Sequence, residues 1–237
     1  SISMKKRLLA SVLCVMLMVC VLPTVQAKTV AVTEAIPQQA FLTMDFDGID
    51  QRSEFAKENV TISTEVAGAY LLESTGNHSG LEDQETATFM LDNGQQDGVT
   101  EETYLTVVRA SSPSSASEQA GNLTVVAMIY WNMRYSDDLQ IGYDIAFIKS
   151  GHVYRDAGSS GVYKLYGENY VAFGTYMDSN SNNWSNPTDN RTYTLTNNFS
   201  NTYTAAYMNN FTSTAITKVY ANSHSPSTLS VSVNKNS

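Results

Sequence analysis

Between Asn122 and Phe147 the chain alternates apolar side chains more densely than anywhere else. In an extended strand, successive side chains point to opposite faces. Leu123, Val125, Ala127, Ile129, Trp131 and Met133 therefore line one face, while Val126, Met128 and Tyr130 make the middle of the other face apolar too. A strand apolar on both sides has to be covered on both sides. After the polar break Tyr135-Ser136-Asp137-Asp138, a second row, Leu139, Ile141, Tyr143, Ile145 and Phe147, alternates with Gln140, Gly142 and Asp144. The pattern predicts an antiparallel hairpin at the centre of a β-rich core.

The other segments are read in that frame. Short strands are expected at 41–46, at 60–72 with a break at Gly68, at 86–91 and at 103–110, with Asp92-Asn93-Gly94 as a turn and Arg52 to Asn59 as a helical turn. The small, polar run 111–121 reads as a surface loop. Gly151 is expected to turn into a strand at 153–155, and 162–166 with 170–176 to form a hairpin around Gly167-Glu168-Asn169. Residues 177–191 read as a long polar loop, followed by strands at 192–199, 202–211, 215–221 and 228–233. The last sets Leu229, Val231 and Val233 against serines, the pattern of a half-buried edge strand. About a dozen short strands and no amphipathic helix define an all-β chain folded as an antiparallel β-sandwich, with an irregular β-barrel as the alternative.

Met4-Lys5-Lys6-Arg7, the uncharged block Leu8 to Leu22 and Val25-Gln26-Ala27 have the three parts of a secretory signal peptide, expected to form a helix and to be cleaved after Ala27. The block is shorter than the roughly 20 residues that span a bilayer. Both cysteines, Cys14 and Cys20, lie inside it, so the exported chain has no disulfide and no thiolate ligand. The domain reading is a signal peptide at 1–27, a lead-in at 28–40 and one β-sandwich domain at 41–237. Residues 1–27 carry three basic side chains and no acidic one, so their removal takes the formal charge from −9 to −12. Nucleic acid, which demands a basic surface, is excluded as an expected partner, and no membrane association is expected after cleavage.

Candidate sites are few. Taking Thr43 as the first position of a calcium loop puts Asp45, Asp47, Gly48, Gln51 and Glu54 where oxygen ligands and the sharp turn belong. Asp45, Asp47 and Glu54 are thus the candidate calcium ligands, although a Thr leads the loop and Asp50 occupies its apolar position. Aromatic residues crowd the second half of the chain. Most suit strand packing, but Trp184 sits in an Asn/Ser-rich stretch with little local core to enter. Trp184, with Tyr176 and Tyr193, is the expected ligand-contact set. His78, His152 and His224 are expected in separate polar turns without metal or triad spacing, and Gly158-Ser159-Ser160-Gly161 is not a nucleophile elbow.

Together these features lead to the expectation of a secreted, extracellular protein of a Gram-positive type bacterium with a non-catalytic binding role toward a glycan or a surface protein. A polysaccharide hydrolase using loop carboxylates such as Asp144 and Glu168, or histidines such as His152, is the first alternative. A structural matrix or fibre subunit, suggested by an exposed C-terminal edge strand, is the second.

Overall fold

The computed structural model describes residues 42, 46, 49–67, 81, 83–111, 123–136, 143–156, 161–173, 175–196, 211–221 and 226–235. All belong to one unit, Val32–Ser237. The central hairpin is present: β4 (Leu123–Ser136) pairs antiparallel with β5 (Tyr143–Asp156), Leu123 opposite Asp156 and Tyr135 opposite Tyr143. Around it run α1 (Glu54–Asn59), β1 (Val60–Ala67), β2 (Asp83–Gln96), β3 (Val99–Ser111), β6 (Val162–Phe173), β7 (Tyr176–Ser185), β8 (Tyr193–Thr196), β9 (Phe211–Ala221) and β10 (Ser227–Lys235).

The strands form two antiparallel five-stranded sheets. Sheet one has the order β1-β10-β9-β6-β7 and sheet two the order β2-β3-β4-β5-β8. Among the described residues neither sheet closes on itself or joins the other, so the arrangement is sandwich-like and open, and the barrel alternative is set aside. β10 lies between β1 and β9 rather than at an edge. Its alternation reflects one face on the core and one in solvent, a pattern an interior strand of an antiparallel sheet shares with an edge strand.

Both faces of β4 are covered, as its composition requires. Leu123, Val125, Ala127, Ile129, Trp131 and Met133 point between the sheets, onto Leu165, Val171, Val219, Leu229, Val231 and Val233. Val126 and Met128 face the other way and pack with Leu42 and Phe46, so chain N-terminal to α1 roofs sheet two on its outer side. Arg109 lies over the Phe46 ring at 4.2 Å and pairs with Glu85. Trp131 stacks on Tyr104 at 4.3 Å and donates its indole N–H to Thr106 Oγ1 at 2.9 Å. At one end of the interior the buried Glu102 carboxylate accepts hydrogen bonds from Ser53 (2.7 Å), Tyr135 (3.1 Å) and Tyr104. Ser53 also caps α1 through Ala56 N (3.1 Å), so this cluster pins the helix to the sandwich. Burial, with Glu102 beside it, holds the Tyr104 phenol well above the usual range.

Three glycine-based expectations are corrected. The hairpin between β2 and β3 turns at Asp97-Gly98, whose φ values of 53° and 76° suit a two-residue turn with both central residues left-handed. Asp92-Asn93-Gly94 instead lies within β2, just past a bulge between Met90 and Asp92. Gly151 is internal to β5, opposite Met128, where a Cβ would lie 2.7 Å from the Met128 Cγ. Gly167 is internal to β6, which is one continuous strand. A Cβ there would sit 2.5 to 2.8 Å from three atoms of the His152 ring, so glycine makes room for an imidazole from the facing sheet.

A bulge between Tyr130 and Trp131 leaves Ile148 unpaired in β5 and reverses which residues face inward. Ile145 belongs to the interior, but beyond the bulge Ser150, His152 and Tyr154 point inward while Val153 joins the outer cluster. The segment 177–191 is likewise corrected: 176–185 is strand β7, paired with β6 over its whole length. Asn and Ser favour turns, but a full partner strand and the inward Trp184 override that preference.

Candidate binding face

Of the expected contact residues, the structure brings two together. Trp184 and Tyr193 lie with ring centroids 5.0 Å apart, both half-buried against the interior, and the Trp184 ring is 6.0 Å from that of His152. Trp184 therefore serves the side of the sandwich between β7 and β8 rather than a free loop. Arg191 covers Tyr193 at 5.2 Å, and the Tyr193 hydroxyl accepts from Thr188 N at 2.9 Å. Tyr176 opens β7, eight residues from Trp184 and so roughly 26 Å away along the strand; its side chain lies outside the described residues.

The calcium-loop positions divide similarly. Asp45 and Asp47 lie outside the described residues. Glu54 is exposed at the start of α1 and pairs with Lys57 at 3.1 Å. Burial acts to raise the pKa of the neighbouring Asp50, and the hydrogen bonds and charge of Arg52 outweigh it, leaving that carboxyl below its ordinary value. Among the described residues no group of three or more His, Cys, Asp or Glu could hold a metal ion.

His152, expected in a polar turn, is fully buried in mid-strand. Thr217 donates to the Val126 carbonyl at 3.0 Å, so its oxygen must accept from His152 Nδ1–H at 2.8 Å. Nε2, left without a proton, accepts from Ser150 Oγ at 2.9 Å. The resulting chain of donors and acceptors joins the two sheets through the core. Burial pushes the His152 pKa down to about 3, and with both nitrogens engaged the ring cannot meet a substrate. His78 and His224, and the side chain of Asp144, lie outside the described residues. A cleft of about 190 Å³ between β1 and β2, lined by Asp50, Arg52, Ile62, Thr64 and Thr86 to Thr88, falls below the ~300 Å³ at which small-molecule sites begin.

The face with contact chemistry is the outer side of sheet one. Its outward side chains are all half-buried or exposed, unlike the roofed outer side of sheet two. The register lays them in rows across the strands: Ser63, Ser232, Thr214, Tyr170 and Ser179 in one, Ala67, Thr228, Lys218, Tyr166 and Asn183 in another. Thr214 bonds Ser232 at 2.7 Å and Thr212 bonds Asn234 at 2.8 Å, so the hydroxyl rows are fixed across neighbouring strands. Aromatic rings stand among these rows. Tyr166 and Tyr170 stand on β6, Tyr220 lies across on β9, and Tyr163, 44% exposed, sits 6.3 Å from Tyr220. The Tyr166 hydroxyl donates to Glu168 at 2.7 Å; burial and that hydrogen bond raise its pKa, so the phenol stays protonated. Sequence reasoning passed over these tyrosines because alternation alone does not say which face of a strand is roofed.

No family model, no curated protein and no solved structure matches the chain.

Proposed function

We propose that the protein is a secreted, non-catalytic binding protein that lays the outer face of sheet one against a glycan. The observation that carries this reading is the tyrosine group Tyr163, Tyr166, Tyr170 and Tyr220 on a five-stranded face rich in Ser, Thr and Asn whose described outward side chains are none of them buried. A tyrosine ring offers a flat apolar surface for the C–H face of a sugar, and its hydroxyl a hydrogen bond at the rim. Rows of Ser, Thr and Asn on adjacent strands supply the donors and acceptors that a polyhydroxylated chain requires. Rigid strands hold the whole set, which limits the ordering cost of binding.

The role expected of Trp184 passes to these tyrosines, because Trp184 spends much of its indole on the core. The fibre-subunit alternative loses its starting point, since β1 and β7 rather than the C-terminal strand form the edges of sheet one. Affinity electrophoresis through gels cast with a panel of polysaccharides tests the reading. Retardation is expected in at least one gel, with Tyr166→Ala and Tyr220→Ala each weakening it about tenfold, the ~1–2 kcal/mol that truncating a contact aromatic removes. Unchanged retardation in both variants would exclude this face. Turnover of a polysaccharide that is lost in Glu168→Gln would replace binding with hydrolysis.

A further inference from the structure

We infer that the glycan is acidic, bearing carboxylates or sulfate esters that Lys164 and Lys218 receive beside the rings of Tyr220 and Tyr166; this rests on the glycan-binding reading above. The four residues form a checkerboard on the outer face. Lys164 is directly opposite Tyr220, and in the next row Tyr166 is opposite Lys218. Each ammonium lies over the ring across from it, Lys164 Nζ at 3.6 Å from the Tyr220 centroid and Lys218 Nζ at 5.4 Å from that of Tyr166. Two flexible cations are thereby held in place before any ligand arrives.

Among the described residues neither lysine has an ion-pair partner. Arg52, Lys57 and Arg109, by contrast, each have a carboxylate partner. The nearest acidic side chain along β6, Glu168, is engaged by the Tyr166 hydroxyl. In the two rows that carry the lysines, the other outward residues are Ala67, Thr228, Asn183 and Ser185, all uncharged. The two lysine rows therefore carry basic and no acidic side chains, with Glu65 and Glu168 in the next row, and at physiological salt remote charges are screened beyond about 8 Å. A neutral sugar would use the rings and the hydroxyl rows but has no need of two unpaired ammoniums. An anionic one uses all four side chains, its anion on the lysines and its ring on the tyrosines.

The test is affinity electrophoresis of the full chain in gels containing polygalacturonate, its fully methyl-esterified form, a sulfated galactan or the same galactan without sulfate. At least tenfold stronger retardation is expected by a charged polymer than by its uncharged counterpart, weakening as salt is raised. Lys164→Gln with Lys218→Gln should erase that difference, and arginine at both positions should restore it, with urea midpoints confirming that the variants fold. Preference for polygalacturonate assigns the carboxylate, and preference for the sulfated galactan the sulfate ester. Equal retardation by charged and uncharged partners overturns the acidic ligand and leaves glycan binding standing. No retardation by either charged polymer overturns the acidic ligand, and no retardation across the wider panel overturns glycan binding with it.

Discussion

His152 makes the stability of the fold depend on acid in a way that can be calculated. In the unfolded chain its imidazole titrates near the ordinary value of 6.5, whereas burial pushes it down to about 3 in the fold. Between those values the unfolded chain binds a proton that the folded protein does not, so each fall in pH favours unfolding. Stability is undiminished above pH 6.5 and is lost at about 1.4 kcal/mol per pH unit as the pH drops toward 3. At pH 5 the loss from this one group is about 2 kcal/mol, a large part of the net stability of a domain. The assay is urea unfolding at pH 7.5 and pH 5.0, followed by tryptophan fluorescence, for the wild type and for His152→Gln. Carboxylates titrate in both proteins, so the difference between their pH responses isolates the histidine. The variant is expected to be less stable at pH 7.5 but to lose about 2 kcal/mol less on acidification. Equal losses in the two proteins would refute the buried, neutral imidazole.

Further predictions follow from the same packing. Gly167→Ala places a Cβ within 2.5 to 2.8 Å of the His152 ring and should cost about 2 kcal/mol or more in urea unfolding. The cost should shrink by more than half in a His152→Ala background, the signature of a shared contact. Glu102→Ala removes a buried acceptor shared by the hydroxyls of Ser53, Tyr104 and Tyr135 and should lower stability by roughly 2–4 kcal/mol. Loosening of α1 should appear first in that variant, as faster amide exchange over Glu54–Asn59.

The β4–β5 pairing was legible because β4 is apolar on both faces, and a sheet strand roofed on both sides is the simplest way to satisfy that. The single alternation of Leu229, Val231 and Val233 located a strand but not its neighbours, since burial on one face does not report which strand lies alongside. The bulge at Ile148 was invisible because an inserted residue leaves composition intact and changes only the phase, which moved His152 from an expected turn into the core. Gly167 and Gly151 read as turns because a glycine needed for clearance and one needed for backbone freedom look the same in sequence. Strand β7 was hidden by its asparagines and serines, whose preferences yielded to pairing with β6. The tyrosine and lysine face emerged only once register put Lys164 opposite Tyr220 and Tyr166 opposite Lys218.

The central claim is that ligand meets the outer face of sheet one, and amide chemical-shift mapping with the oligosaccharide form of a retained polysaccharide tests it most directly. Shifts concentrated at Lys164, Tyr166, Lys218, Tyr220 and the adjoining residues of β10 are the expected result. Shifts confined to the Trp184–Tyr193 edge or to the β1–β2 cleft, with that face silent, would contradict it.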